Sequence, residues 1–169
     1  MSITIVATAS ATDANSYQTL AGANTYFETR LHSDNWTSAG DETKKAALVW
    51  ATRLLDDLVD WVGGKYTESQ SLRWPRWAVY DQDGYTVSWT AIPQFLKDAT
   101  AEFAMQLIGS DLVTDDATKG FSELKASIMS IKIDKHDRKN IIPRSVWALL
   151  KDYGNLSGYQ KRFRQLVRC

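Results

Sequence analysis

Three carboxylates, Asp56, Asp57 and Asp60, fall close together in a stretch that reads as helix. Acids gathered on one side of a helix could hold a divalent cation or exchange a proton. A metal centre needs further ligands at matching offsets, and the neighbour at hand is Arg53 instead. A solvated acidic face paired with Arg53 is the simpler expectation. Asp81-Gln82-Asp83-Gly84 has the opening of a calcium loop but lacks the third oxygen side chain and the distal glutamate. A turn with Gly84 at positive φ accounts for it. His32 and His136 sit in separate polar segments with no cysteine or serine partner suggested nearby. No glycine-rich phosphate loop is present. The chain is therefore expected not to be an enzyme, with no catalytic residue, no metal site and no cofactor.

Two other groupings suit binding better than catalysis. Arg73-Trp74-Pro75-Arg76-Trp77 interleaves cations with rings, the composition of a platform for single-stranded nucleic acid. Such platforms sit in a basic field, whereas here Lys+Arg and Asp+Glu are both 20. The alternative is that the tryptophans close the core while the arginines point outward or toward a neighbouring subunit. The second grouping is the end of the chain, where Lys161, Arg162, Arg164 and Arg168 are interspersed with Phe163, Leu166 and Val167. It could be a solvated end, a DNA contact or a docking peptide. Apolar anchors among the cations favour docking, because they add burial to charge.

The elements that must position these residues can be read from periodicity. The 169 residues, 44% of them apolar, suffice for one domain over residues 1–157 with a basic tail at 158–169. Residues 1–16 read as an extended arm, with strand character at Ile3, Ile5 and Val6. A helix is expected over 20–31, capped by Thr19 and packed through Leu20, Ala23, Phe27 and Leu31. A loop at 32–37 precedes a second helix opened by a Ser38/Asp41 capping pair. Its apolar face is Ala47, Leu48, Ala51, Leu54, Leu55, Leu58 and Val62, and Gly63-Gly64 should stop it. Residues 65–91 form a long irregular connection rich in aromatic residues: Trp74, Trp77, Tyr80, Tyr85 and Trp89. Pro93 opens a helix to about residue 110, alternation over 124–133 reads as strand or hairpin, and Pro143 opens a last helix ending near Gly154. The expected fold class is mainly α, a small helical bundle with this loop, a short β-hairpin and an extended basic tail. The lone cysteine, Cys169, allows no intramolecular disulfide and fits a reducing cytoplasm. No secretory leader or bilayer-length apolar run is evident, so a soluble protein without membrane contact is expected.

Several blocks resemble the head–tail adaptor (head-completion, or connector) family of tailed bacteriophages. Asn15-Ser16-Tyr17, then Ala21 to Arg30 and the lone Trp36, is similar to the opening of that family. Lys45-Ala46-Ala47-Leu48 and Ala51-Thr52-Arg53-Leu54-Leu55-Asp56 resemble its second helix. Gly64, Gln70, Leu72, Trp74-Pro75-Arg76, Asp81-Gln82-Asp83-Gly84 and Ile92-Pro93 resemble the family's next segment. The likeness spans about residues 15–108 and is looser beyond. Members are also labelled DnaT-like single-strand-binding proteins. The resemblance implies a structural virion protein made in the host cytoplasm. It would form a homo-oligomeric, twelvefold ring between the portal protein and the stopper or tail-completion protein. Duplex DNA would pass through the lumen without sequence-specific contact. The portal-docking residues would be Lys161, Arg162, Phe163, Arg164, Leu166, Val167 and Arg168. Residues 73–77 would pack the loop or touch the next subunit. The alternative is a single-stranded-DNA-binding replication accessory protein.

Overall fold

The computed structural model describes residues 2–113, 123–126, 129–132 and 141–157. It is mainly helical with short antiparallel strand pairs, as the periodicity implies. Helix α1, Leu20–Glu28, begins where expected: the Thr19 hydroxyl accepts the Gly22 N–H at 3.0 Å. It ends before Leu31, which is 79% exposed rather than packed. The Arg30 guanidinium accounts for this early stop. It reaches across to Glu102 on the fourth helix and donates back to the Leu31 and His32 carbonyls, which turns the chain away.

The expected loop at 32–37 contains a short helix, α2, Asp34–Thr37. It seats the buried Trp36, whose indole N–H donates to Asn24 at 3.0 Å and whose ring lies 4.8 Å from that of Phe27. Ser38 does not cap the next helix, because its hydroxyl donates to the Asp34 carbonyl at 2.7 Å. Gly40 takes the N-cap position instead, and Asp41 and Glu42 complement the positive end of α3, Asp41–Leu58. Ala47, Leu48, Ala51, Leu54 and Leu55 are buried along α3, as their spacing requires.

Helix α3 stops at Leu58, ahead of the two glycines. Val59–Trp61 becomes strand β1 and pairs antiparallel with β6, Gly154–Leu156, placing Val59 opposite Leu156 and Trp61 opposite Gly154. Ladder bonds and the burial of Val59 and Trp61 compensate for the lost helical turn. Gly154 suits this pairing, since a Cβ there would lie 2.6 Å from Val59 Cγ1. Val62, expected on the helix, is exposed beyond β1. Gly63 then makes a turn at φ 73°. Strands β2, Gly64–Lys65, and β3, Arg76–Trp77, pair inside the long connection.

Pro93 precedes α4, Gln94–Gly109, which packs against α3 to form the centre of the core through Leu96, Ala99, Phe103 and Ala104. Strands β4, Glu123–Ala126, and β5, Met129–Lys132, form the expected hairpin, with Leu124 opposite Ile131. Helix α5, Arg144–Leu150, lies on α4 and buries Val146 and Leu150. The N-terminal arm forms no strand among the described residues. Instead the Asn15 side chain accepts the Val6 N–H and donates to the Thr4 carbonyl, both at 2.9 Å, and Glu42 accepts the Ile3 N–H at 2.7 Å.

Asp56 departs from the solvated face expected of it. Its carboxylate accepts the Tyr17 hydroxyl and, at 3.0 Å, the Arg73 N–H. The Tyr17 oxygen in turn accepts the Trp74 N–H at 3.2 Å, and the Tyr17 N–H donates to Thr52 on α3 at 3.1 Å. Asp57 and Asp60 are exposed, and Arg53 lies over the Trp50 ring rather than beside the acids. Burial raises the Asp56 pKa to about 6, outweighing the hydrogen bonds from Tyr17 and the Arg73 N–H that favour the charged form.

The native state thus holds the Asp56 proton more tightly than an unfolded chain does. The stabilisation is fully present below the unfolded value near 3.8 and is lost as pH rises through about 6. Asp56→Asn should flatten the rise in stability between about pH 7 and pH 5, a difference on the order of 1–3 kcal/mol. Melting curves at both pH values test this, and an unchanged pH slope in the variant would refute it. At neutral pH the asparagine gains by losing a buried charge. It also loses one of the two bonds, from Tyr17 or from Arg73, because they donate to different oxygens of Asp56 and one of those positions becomes an amide NH2 that cannot accept.

Candidate interaction surface

The long connection is fastened residue by residue. Gln70 is buried and acts as a staple. Its Oε1 accepts the Thr67 N–H at 2.9 Å, while its Nε2 donates to the carbonyls of Leu72 and Pro75 at 2.9 and 3.1 Å. Lys65 donates to the Gln70 carbonyl at 2.9 Å, and the Ser71 hydroxyl donates to the Ala14 carbonyl at 2.5 Å. Trp74 is buried, edge-on to Trp61 and to Phe95 with centroids 5.6 Å apart in each case. Phe95 in turn stacks on Tyr153 at 3.8 Å. The peptide bond from Trp74 to the buried Pro75 is cis.

Arg76 has its charge turned inward. Its Nε donates to the Val62 carbonyl at 2.7 Å, Nη1 to Arg73 at 3.1 Å, and Nη2 to Gly63 at 2.5 Å and Trp61 at 3.4 Å. It makes no ion pair among the described residues, so carbonyl dipoles neutralise it. Burial pulls its pKa down. The expected arrangement, tryptophans inward and arginines outward, holds for exposed Arg73 and buried Trp74. It is inverted for Arg76 and Trp77, and alternation along β3 is the cause. The inner side faces the carbonyls of the 61–63 turn, which need donors, so the guanidinium fills that side and the indole faces out. Trp77 is 57% exposed and lies across Gly64, where a Cβ would come within 2.5 Å of its Nε1.

Beyond Trp77, the Asp81 carboxylate accepts the N–H groups of Asp83 and Tyr85 at 3.0 and 2.7 Å, and Gly84 adopts φ 85°. This is the expected turn, with the carboxylate oxygen filled by backbone donors. Tyr80 bridges to Thr86, and Gln82 donates to Asp152 at 2.7 Å. Tyr80, Tyr85 and Trp89 are exposed, Tyr85 to 73%. Burial and the nearby Asp81 and Asp152 carboxylates raise the Tyr153 pKa, so negative charge gathers beside this turn. The connection therefore presents rings for apolar or stacking contact, with Arg73 beside the tryptophan end and carboxylates beside the tyrosine end.

A further cluster is not legible from spacing alone. Glu102, buried on α4, accepts Arg30 Nε and Nη2 at 2.8 and 3.1 Å and the Tyr26 hydroxyl at 2.9 Å. An acid flanked by alanines and a phenylalanine on a core helix was the available signal. The cluster is a structural brace between α1 and α4. Among the described residues no group of three metal-ligating side chains occurs, and no helix is long and apolar enough to cross a membrane. The docking residues expected in the tail, Lys161, Arg162, Phe163, Arg164, Leu166, Val167 and Arg168, lie outside the described residues, as does His136.

The two tryptophans should separate by experiment. Trp74→Ala empties a packed site and should cost about 3–5 kcal/mol, lowering the melting temperature sharply. Trp77→Ala removes a largely exposed ring and should stay within about 1 kcal/mol of the parent. Equal thermal losses in the two variants would contradict this difference in burial.

No curated protein and no solved structure matches the sequence. A family model does, over residues 1–169. The chain belongs to the family described as "Putative DnaT-like ssDNA binding protein".

Proposed function

We propose that the protein is a structural virion component of a tailed phage, a head–tail adaptor. Copies of the chain form a ring between the portal protein and the stopper, and the genome passes through the centre. One observation carries this reading. The aromatic-rich connection is pinned to the body while leaving Trp77, Tyr80, Tyr85 and Trp89 exposed, and the charge of Arg76 is turned onto internal carbonyls. Such a face suits burial against protein. A phosphate backbone would find acids at the tyrosine end and little positive charge. The tail residues 161–168, cationic and apolar together, supply the portal contact in this reading.

A second reading, single-stranded-DNA binding in replication, draws on the family description and on exposed Trp77 near exposed Arg73. Base stacking on such a ring is worth about 1–3 kcal/mol per base.

Mixing the purified chain with portal rings, followed by electron microscopy, separates the two. The adaptor reading expects an added ring of density at the portal's outer end. In anisotropy titrations it expects similar, weak binding to single-stranded and duplex oligonucleotides. Tight, salt-sensitive, single-strand-selective binding that disappears in Trp77→Ala, without portal attachment, would establish the replication reading instead.

A further inference from the structure

The tyrosine end of the connection is a fixed tip. Residues 79–87 double back on themselves: the Val87 N–H donates to the Val79 carbonyl and the Asp81 N–H to the Tyr85 carbonyl, both at 2.9 Å. Buried Val79 roots this hairpin, and Gln82 ties it to Asp152. Tyr80 and Tyr85 are left exposed on it. Three carboxylates stand at the same end: Asp81 and Asp83 in the hairpin, and Asp152 just past α5. They come from two distant segments, and Asp81 and Asp152 both act on the Tyr153 phenol. None makes an ion pair among the described residues, not even with neighbouring Lys151.

Rings and acids select for the same ligand. Both attract a guanidinium or ammonium, the rings through their faces and the carboxylates through charged hydrogen bonds. The same acids repel a phosphate or an acidic peptide. The rings also offer apolar area, so a cation with apolar neighbours fits best. One segment of this chain has that composition. Residues 158–169 carry Lys161, Arg162, Arg164 and Arg168, no acidic side chain, and Phe163, Leu166 and Val167 between the cations. The chain enters that segment close to the tip. The Ser157 N–H donates to the Leu58 carbonyl at 2.7 Å, and only β6 separates Ser157 from Tyr153. That is about 13 Å of strand.

We propose that residues 161–168 dock on the tyrosine end of their own connection, setting their arginines against Asp83, Asp152 and the rings of Tyr80 and Tyr85. Residues 158–164, if extended, reach roughly 23 Å, enough to return along β6 with length to spare. A tether this short gives an effective concentration on the order of millimolar, so a chain's own tail excludes that of another copy in dilute solution. The inference goes beyond the assembly role, and the contact requires no portal. It covers the tail and the tyrosine end at once in the free chain. In the adaptor reading the portal draws the tail away and so uncovers both.

Cys169 is the sole cysteine, so one nitroxide label marks the end of the tail in the full chain. Nitrogen–proton correlation spectra should show the amides of Asp83, Gly84, Tyr85 and Asp152 broadened most, and reducing the nitroxide should restore them. Asp83→Lys should cut this broadening about fivefold, as should Arg162→Glu with Arg164→Glu. Combining all three changes should bring much of it back, a rescue that misfolding could not produce. Mixing isotope-enriched, unlabelled chain with nitroxide-bearing chain of natural isotopes should leave the same amides sharp. Broadening in that mixture would place the tail on a second copy and overturn the contact within one chain. Broadening spread evenly over the surface, or unmoved by the charge reversals, would overturn it as well. No portal is present in these spectra, so the contact can fail while the adaptor reading stands.

Discussion

The hydrogen bond from Tyr17 to Asp56 is the contact on which the arrangement of the chain depends. Three segments far apart in sequence meet at it: the approach to α1, the C-terminal turns of α3, and the Trp74 stretch of the long connection. A neutral bond would suffice to join two of them. A carboxylate joins all three because its oxygens accept separately from a phenol and a backbone N–H. The cost is a partly desolvated charge, and burial raises the Asp56 pKa accordingly. With this junction in place, Trp74 can settle edge-on between Trp61 and Phe95, and the connection becomes a defined surface.

The same connection handles a second buried charge in the opposite manner. Asp56 is matched by donors drawn from distant segments, whereas Arg76 is matched mostly by carbonyls of the turn beside its own strand. A turn at Gly63 leaves carbonyls pointing one way, and a planar guanidinium with five N–H donors can satisfy several of them. Lysine could not span that fork. The Arg-Trp-Pro-Arg-Trp run, nucleic-acid-like in composition, is thus half scaffold. Arg73 and Trp77 remain available to a partner, while Trp74 and Arg76 hold the loop closed.

Much of the helical framework was legible in the sequence. Thr19 as a cap, the apolar spacing of α3, Pro93 ahead of α4 and Pro143 ahead of α5 are local signals, and each element forms where they indicate. The failures share a cause. Leu58 ends α3 because residues 59–61 find a strand partner near the other end of the chain, and no local pattern reports that. Leu31 leaves the core because Arg30 finds Glu102 on another helix. Ser38 caps nothing because Asp34 lies in a short helix that spacing does not reveal. At the candidate surface, composition singled out residues 73–77. Which members face outward was settled by the carbonyls opposite β3, a tertiary fact.

The pairing of β1 with β6 also bears on how the chain reaches its native form. A strand that comes directly after α3 must wait for a partner that emerges from the ribosome only after α4 and α5. Until then Val59 and Trp61 have no ladder, and the ring cluster of Trp61, Trp74, Phe95 and Tyr153 lacks its last member. Contacts between segments so distant in sequence raise contact order and slow folding, and they leave apolar surface open in the meantime. During synthesis, then, α1 to α4 and the Trp74 end of the connection can assemble as the chain is made, whereas the tyrosine end, tied to Asp152 through Gln82, is among the last parts to close. The surface proposed to meet other proteins is completed only once residues 152–156 have been made.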